Sequence, residues 1–448
     1  MKYLICGLPE CIKREEALGN FELACELIDK LLKKDVPIEL KKRLEYEKER
    51  IKRLKLEYPY DKKEALQLLS REIKDFKSKE FDKWIQEGLI DYLVIEGELK
   101  FPRRFVANLF FLDKELEARR KKIDKTREEM RELLNKRIDE ILETGKVKKY
   151  KIRAKIEVEL NFEPKEKIKC WLPFPRVGNQ VESAKLVSAS HKYYLAKENA
   201  PQRTIYFEEI DKKFFVEFEY VIRESFTKVN PDELSFTVPR SCKKYLQEEP
   251  PHIVFTPYIR RLASSIVGNE THPYFKAKRI YDWITLNVNY TFVREYSTYE
   301  NLSEYCLTNL QGDCGVQALA FITLLRAVGV PAKWQSGWYV TPKYAGPHDW
   351  AMFYCGRWFF ADLSFGGRFK DKEKEHLRKF YFGNLDGWRM IANSCFGGAF
   401  DPPKKHFRSD PCDNQRGELE TEKRNIYYNE FEYKIEVIKF EEMKRNSK

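Results

Sequence analysis

The 448-residue sequence contains no run of about 20 consecutive apolar residues, the length that a membrane-spanning helix needs. Its first apolar stretch, Tyr3 to Cys6, is soon interrupted by Gly7, Pro9 and Glu10, unlike the apolar region of a secretory leader. We therefore expect a cytoplasmic protein that does not bind a membrane.

Cysteine and histidine are too sparse for a disulfide scaffold or a zinc protein. Ten cysteines among 448 residues are fewer than a disulfide scaffold uses, and neither a Cys-x-x-Cys pair nor a Cys/His cluster with zinc spacing is present. There are only six histidines. We expect no metal centre and no cofactor, and we expect most of the cysteines to be buried thiols.

The chain also lacks a concentrated basic patch, although its formal net charge is +12. In residues 1–150, 37 Lys and Arg are interleaved with 32 Asp and Glu, as on solvated helix faces that carry ion pairs four residues apart. We therefore predict no nucleic-acid partner. The sequence does not indicate an oligomeric state.

Changes of periodicity predict an α+β protein with four segments. Residues 1–145 have apolar residues at helical spacing and a capping box at Asp61 and Glu64, which indicate a helical N-terminal region. Residues 146–230 alternate apolar and polar side chains, as in an antiparallel β-sandwich. Residues 231–400 mix helices and strands in a core domain, and 401–448 form a C-terminal extension. We expect limited proteolysis to separate the first two segments from the core.

Cys314 is the candidate nucleophile because it would begin an apolar helix that continues to about Val328. The preceding Asp313 is a candidate N-cap. In the first helical turn, unpaired backbone N–H groups and the helix dipole favour a thiolate, although a buried structural cysteine is also common there. We expect Cys314 to be the most acidic and most readily alkylated of the ten thiols.

His348 is the candidate base, and Asp362 is the candidate carboxylate that orients it. His348 begins an alternating strand that meets a second strand across residues 355–357, and Asp362 closes that second strand. A three-residue loop would place both side chains on one face of the hairpin, whereas a two-residue loop would separate them. Asp349 is a rival carboxylate, but it points away from the face of His348. Taken singly, a surface histidine and a turn-forming aspartate are the better explanations. Together with Cys314 at a helix start, the combination is much harder to obtain by chance.

The chain resembles the transglutaminase-like superfamily in the following runs: Gly312-Asp313-Cys314-Gly315, Leu324-Leu325-Arg326-Ala327-Val328-Gly329-Val330-Pro331-Ala332, His348-Asp349-Trp350 and Gly356-Arg357-Trp358, up to Asp362. The resemblance implies a papain-like α+β core in which Cys314, His348 and Asp362 match the catalytic triad. It also implies that larger bacterial relatives carry helical and sandwich regions ahead of this core.

Some family features have no counterpart that we can align. Animal members are calcium-dependent, but the sequence has no EF-hand-like loop. Those members also use a tryptophan to donate a hydrogen bond to the oxyanion. Tyr290 is a weak candidate for this role, and its better interpretation is a half-buried aromatic residue of a strand. Four tryptophans lie near the triad residues in sequence, namely Trp334, Trp338, Trp350 and Trp358. They could line an acyl-binding slot, but packing in the core of a sheet is the better interpretation.

The sequence therefore predicts a thiol acyl-transfer enzyme that acts on protein or peptide carboxamides through a thioester. Two alternatives remain open, namely a cysteine peptidase or amidase, in which water replaces the amine, and a catalytically silent binding scaffold. The expected partner is a protein or peptide substrate.

Overall fold

The computed structural model describes residues 2–444 and confirms the α+β class. The helices are α1 Glu10–Ala17, α2 Phe21–Leu32, α3 Ile38–Glu57, α4 Lys62–Glu72, α5 Ser78–Gln86, α6 Phe105–Leu112, α7 Lys114–Ala118, α8 Lys125–Thr144, α9 Pro257–Val267, α10 Pro273–Asn287, α11 Leu302–Asn309, α12 Cys314–Ala327, α13 Leu363–Gly366 and α14 Glu375–Phe380. Within the described residues we find no helix with the length and apolar character that crossing a bilayer requires.

The strands are β1 Leu93–Ile95, β2 Glu98–Lys100, β3 Lys149–Leu160, β4 Ile168–Pro173, β5 Val181–Ala189, β6 Tyr193–Leu195, β7 Thr204–Glu209, β8 Lys213–Arg223, β9 Asn289–Tyr290, β10 Gln311–Gly312, β11 Ala332–Val340, β12 Ala345–Cys355, β13 Arg357–Ala361, β14 Phe382–Gly383, β15 Arg389–Asn393, β16 Glu418–Glu420, β17 Asn425–Ile426 and β18 Phe431–Glu442.

The chain divides into two compact units. The first comprises Met1–Asp124, Glu249–Val254 and Asn289–Asp313, and the second comprises the remaining three segments, Lys125–Glu248, Phe255–Val288 and Cys314–Lys448. The predicted segments 1–145 and 401–448 both extend beyond the residues that the structure describes.

The first unit is mainly helical. Helices α1 to α3 bury apolar side chains at helical spacing, including Phe21, Ala24 and Ile28 of α2. Helices α4 to α6 surround a second apolar cluster. The predicted capping box is confirmed, because the Asp61 carboxylate accepts from the Glu64 backbone N–H while the Glu64 carboxylate accepts from that of Asp61.

The charged, thinly apolar pattern from Leu116 to Glu143 predicts a long helix packed along one narrow stripe. Helix α8 confirms this from Lys125 onward, with Met130, Leu134, Ile138 and Ile141 buried along it. The predicted start is wrong, because α7 ends at Ala118 and α8 begins only at Lys125. Between them the backbone pairs with the end of α4: Lys74 N–H donates to Arg119 at 2.8 Å, and Lys121 N–H donates to Glu72 at 3.0 Å. This pairing provides extended-chain hydrogen bonds in place of helical ones.

A five-stranded antiparallel sheet organises the core of the second unit, with strand order β14-β13-β12-β11-β15. Helix α12 packs against β11 and β12, and it also contacts α9 and α10. The predicted helices from Phe275 to Val288 and from Cys314 to Val328 are confirmed by α10 and α12.

Two further antiparallel sheets make up the sandwich, with strand orders β18-β3-β8-β5 and β17-β16-β4-β7-β6. The alternation in the sequence is confirmed: β3 and β8 bury every second side chain, such as Ile152 and Ile156 in β3 and Val216 and Phe218 in β8.

The C-terminal strands lie within this sandwich instead of forming an extension outside it. Strand β16 pairs with β4, and β18 pairs with β3 over almost its whole length. The three residues of β16 are fully or almost fully buried. Strand β18 alternates apolar and charged residues from Phe431 to Val437, which is the pattern of a strand, but this pattern does not identify β3 as its partner.

Replacing Leu419 of β16 by alanine tests whether the C-terminal strands are structural. Leu419 is 0% exposed, so Leu419→Ala should lower the free energy of unfolding by about 2–5 kcal/mol. Urea denaturation measures the loss. The control is Val187→Ala in β5, where the side chain is 37% exposed. Equal, small effects of both substitutions would contradict the observed pairing.

Candidate active site

Helix α12 places Cys314 at its first residue. The helix is buried from Gly315 to Arg326, whereas Cys314 itself is only partly buried. The apolar helix is therefore fixed by packing, and its N-terminal N–H groups and dipole act at the thiol. Asp313, the predicted N-cap, accepts a hydrogen bond from the Tyr296 hydroxyl at 2.7 Å.

The β12–β13 hairpin has the register that the sequence predicts. Tyr354 lies opposite Trp358, and pairing extends to Cys355 and Arg357, which leaves Gly356 at the tip. Gly356 has φ of +72°, the left-handed conformation that such a turn needs. The connection therefore contains an odd number of residues, and residues 348 and 362 lie on one face.

His348 and Asp362 form a buried hydrogen-bonded pair. The imidazole Nε2 lies 2.7 Å from Asp362 Oδ2, and the two residues are 5% and 0% exposed. The ring of Trp350 is stacked on the imidazole at 5.7 Å between centroids. These contacts fix the ring, and they direct Nε2 to the carboxylate and leave Nδ1 for another partner.

Asp362 is held by three donors in addition to His348. Arg389 Nη2 donates to Oδ2 at 3.0 Å, while the Phe365 N–H and the Ser364 hydroxyl donate to Oδ1 at 3.0 and 3.3 Å. The Phe365 contact makes Asp362 the N-cap of α13. A carboxylate with this many donors has little freedom to rotate away from His348.

Burial and charge act in opposite directions on this pair. Burial is the largest influence on the pKa of His348 and lowers it below its ordinary value of 6.5, against the opposing charge of Asp362. Burial is also the largest influence on Asp362 and would raise its pKa, but His348, Arg389 and the Phe365 N–H together hold that pKa below 3.8. Because His348 is neutral at neutral pH, we assign the persistent stabilisation of the Asp362 carboxylate to Arg389, which stays charged.

Arg389 is completely buried and is surrounded by aromatic rings. Its guanidinium carbon lies 4.3 Å from the ring centroid of Phe365 and 5.2 Å from that of Tyr339. Its Nη2 also pairs with Asp386 at 3.0 Å. Few waters can screen a cation in this position, so its field acts on Asp362 at nearly full strength.

The thiol of Cys314 donates a hydrogen bond to Asp349 Oδ2 at 3.4 Å. Asp349 follows His348 in β12, and its carboxylate points to the opposite face, as the strand geometry predicts. The structure thus brings together His348 with Asp362, and Cys314 with Asp349. A contact between Cys314 and His348 remains a prediction.

Gln415 connects the two neighbouring residues of β12. Its side-chain amide donates to the His348 carbonyl at 3.0 Å and to Asp349 Oδ1 at 2.5 Å. It comes from the polar, turn-rich segment that begins at Ser409. Within residues 2–444, no group of three or more His, Cys, Asp or Glu is arranged to hold a metal ion.

Three of the four tryptophans belong to the packed interior. Trp334, Trp338 and Trp350 are at most 1% exposed, and the indoles of the first two donate to Asp413 Oδ2 and the Gln415 carbonyl. Trp358 is half-buried, and its ring contacts Tyr245 and Tyr354. Tyr290 is also half-buried and packs its ring against Phe111 and Phe292. These positions agree with sheet core for three tryptophans and with a half-buried strand aromatic for Tyr290.

A model of the transglutaminase-like superfamily matches residues 260–363, which include Cys314, His348 and Asp362. The match covers about a quarter of the chain. No curated protein matches the sequence.

Two solved structures illustrate what the chain is similar to. A candidate cysteine protease from Cytophaga hutchinsonii is 12% identical, with a TM-score of 0.40, over 66% of this chain and 92% of that chain. The periplasmic domain of TgpA from Pseudomonas aeruginosa is 12% identical, with a TM-score of 0.28, over 54% of this chain and 95% of that chain.

Sequence reasoning missed Arg389, which belongs to no local motif and reaches the site because β15 pairs with β11 in the central sheet. The polar, turn-rich segment from Ser409 to Gln415 is a candidate for the far rim of the cleft from sequence, although turn formation explains it equally well. No specific role for Gln415 could be predicted.

We expect NMR titration of the six histidines to find His348 below its ordinary pKa of 6.5, because burial disfavours its charged form. Asp362→Asn should lower that pKa further by removing a negative neighbour. Arg389→Met should raise it by removing a positive neighbour. His348→Gln assigns the resonance, and shifts in the same direction for both variants would contradict the charge arrangement.

Proposed function

We propose that the chain is a thiol acyl-transfer enzyme in which Cys314 is the nucleophile, His348 the general base and acid, and Asp362 the group that orients and stabilises the imidazole. The single observation that carries this proposal is the buried 2.7 Å pair of His348 and Asp362. His348 lies in β12, and the next residue of this strand, Asp349, accepts a hydrogen bond from the Cys314 thiol. A nucleophile, a base and an orienting carboxylate are the parts that thiol acyl transfer requires.

In the first half-reaction, Cys314 Sγ attacks the carbonyl carbon of a carboxamide, and the thiol proton passes to His348. The carbon–nitrogen bond then breaks, and the leaving nitrogen takes that proton from the imidazolium. Ammonia leaves if the substrate is a glutamine side chain. A thioester between the acyl group and Cys314 remains.

In the second half-reaction, an acceptor attacks the thioester while His348 removes its proton. A primary amine gives an amide and makes the protein a transferase, whereas water gives a carboxylic acid and makes it a hydrolase. In both cases the proton returns to the sulfur and regenerates the thiol. The transferase is the function that we propose, and hydrolysis is the outcome to be distinguished from it.

Mass spectrometry distinguishes these reactions after incubation with a glutamine-containing protein, with and without a primary amine. We expect amine incorporation at glutamine. Conversion of glutamine to glutamate or cleavage of the chain would identify a hydrolase. Cys314→Ala should abolish every product, whereas Cys11→Ala, which alters an exposed cysteine, should change none. Product formation by Cys314→Ala would contradict the proposed nucleophile.

Replacing Asp362 by asparagine tests the proposed role of the carboxylate. The amide oxygen can still accept from the Phe365 N–H, so the fold should be retained by circular dichroism. Without the negative charge the imidazolium is no longer stabilised, and we expect the rate to fall by about 10²- to 10⁴-fold. Ser364→Ala is the matched control, since it removes only a 3.3 Å hydrogen bond to Oδ1. Full activity in Asp362→Asn would contradict the role.

A further inference from the structure

One oxygen of Asp362 is shared by two partners. His348 Nε2 lies 2.7 Å from Oδ2, and Arg389 Nη2 lies 3.0 Å from the same oxygen. The imidazole and the guanidinium group therefore interact with the negative charge of one atom. If Asp362 were the sole counter-ion of Arg389, little of that charge would remain for the imidazolium ion that the proposed reaction forms at His348.

Asp386 is a second counter-ion of the same guanidinium group. Its Oδ2 lies 3.0 Å from Arg389 Nη2, the same distance at which that nitrogen lies from Asp362 Oδ2. Asp362, Arg389 and Asp386 are all 0% exposed. Because water does not screen them there, both carboxylates interact strongly with the cation, and they share its charge.

The side chain of Asp386 is surrounded by donors. The Trp388 N–H donates to Oδ1 at 2.8 Å, and the Tyr381 hydroxyl donates to Oδ2 at 3.2 Å. Burial raises the pKa of Tyr381 well above its ordinary value of 10, so this hydroxyl keeps the proton that it donates. A carboxyl group that accepts from donors on both oxygens is arranged as a carboxylate. Asp386 thus supplies a negative charge beside Arg389.

The β-sandwich fixes the backbone at Asp386. Gln180, which precedes β5 and is 3% exposed, donates from Nε2 to the carbonyls of Leu385 and Asp386 at 3.2 and 2.8 Å. Ser225, two residues after β8, exchanges two backbone hydrogen bonds with Leu385, at 2.9 and 3.0 Å. Asp386 therefore cannot move away from Arg389 without breaking contacts between the central sheet's connections and the sandwich.

The row of His348, Asp362, Arg389 and Asp386 is surrounded mainly by neutral groups. Three buried tyrosines face it, and burial raises the pKa of each, so that they stay neutral: Tyr281 of α10, Tyr339 of β11 and Tyr381. Arg368 lies over the Phe365 ring at 3.9 Å and also lowers the pKa of His348, but it is exposed, so water screens its charge. On the other face of β12, the Cys314 thiol contacts Asp349.

We propose that Asp386 is a positioning residue for the acyl transfer: by sharing Arg389 with Asp362, it leaves the Asp362 carboxylate able to stabilise an imidazolium ion at His348. When the imidazole takes the thiol proton, the four groups of the row carry alternating charges and no net charge. Without Asp386, Asp362 would be the sole counter-ion of Arg389, and the imidazolium would form less readily. The inference rests on the proposed role of His348, but its main test requires no turnover.

The main test is an NMR titration of His348 in Asp386→Asn, which keeps the size of the side chain. Arg389 then acts on Asp362 alone, so the pKa of His348 should fall by about one unit or more. A resonance that stays neutral wherever the variant is folded, although the wild type titrates, counts as this fall. A merely structural role predicts the opposite, because a loosened site admits water and returns the pKa toward 6.5. An unchanged or raised pKa would overturn the inference.

A double-mutant cycle tests whether Asp386 acts through Arg389. In the Arg389→Met background, the change Asp386→Asn should move the pKa of His348 by less than half as much as it does in the wild type. An equal fall in both backgrounds would contradict an action through Arg389. The matched control is Asp282→Asn, which removes a carboxylate paired with Arg378 at 2.6 Å outside the row and should leave the pKa unchanged.

Tyr381→Phe decides if Asp386→Asn does not fold. It removes a donor from Asp386 Oδ2, so this oxygen should attract Arg389 more strongly and the pKa of His348 should rise. An unchanged or lower pKa would overturn the inference.

The rate of Cys314 acetylation by 4-nitrophenyl acetate separates this inference from the proposed function. It should fall by about tenfold in Asp386→Asn and stay unchanged in Asp282→Asn. If His348 stays neutral wherever the wild type is folded, this rate decides, and an unchanged rate in Asp386→Asn overturns the inference. The predicted pKa shifts without acetylation of the wild type would contradict the proposed function alone. Acetylation without the shifts would contradict the inference alone.

Discussion

The turn at Gly356 determines which side chains of the β12–β13 hairpin share a face. Because Tyr354 lies opposite Trp358, His348 and Asp362 are diagonal neighbours, and Asp349 is directed to the opposite side. A connection longer or shorter by one residue would move Asp362 to the face of Asp349. The pairing of the imidazole with Asp362 depends on this register.

Buried charges then set the protonation of the site. Arg389 supplies a desolvated positive charge beside Asp362. Charges this close interact strongly where water is excluded. Burial keeps His348 neutral. The site therefore holds a neutral imidazole at rest beside a carboxylate that can stabilise an imidazolium ion.

The parts of this arrangement that could be predicted from sequence are those governed by local rules. Strand alternation and the odd loop placed His348 and Asp362 together, and the apolar run after Cys314 placed it at a helix start. The capping box at Asp61 is equally local. Arg389 and Gln415 could not be found in this way, because their positions depend on strands that pair across long sequence separations. The continuous charged pattern near Arg119 likewise gave no indication of the pairing with the end of α4.

The assignment of the C-terminal strands shows the same limit. The alternation of apolar and charged residues in β18 is the pattern of a strand, yet nothing in it shows that the strand pairs with β3 and completes a sheet of the sandwich. The identity of a strand partner depends on backbone hydrogen bonds, which any sequence can make. Local patterns thus predict elements and faces better than they predict long-range pairing.

The central claim, that Cys314 forms a thioester, is tested most directly by trapping the acyl-enzyme. The protein would be incubated with the activated ester 4-nitrophenyl acetate, and intact-mass and peptide mass spectrometry would locate the acetyl group after nitrophenolate leaves. The account predicts one acetyl group on Cys314, removed by neutral hydroxylamine as a thioester should be, and no such adduct in Cys314→Ala. Hydroxylamine-labile acetylation that persists at the same level in Cys314→Ala would contradict it.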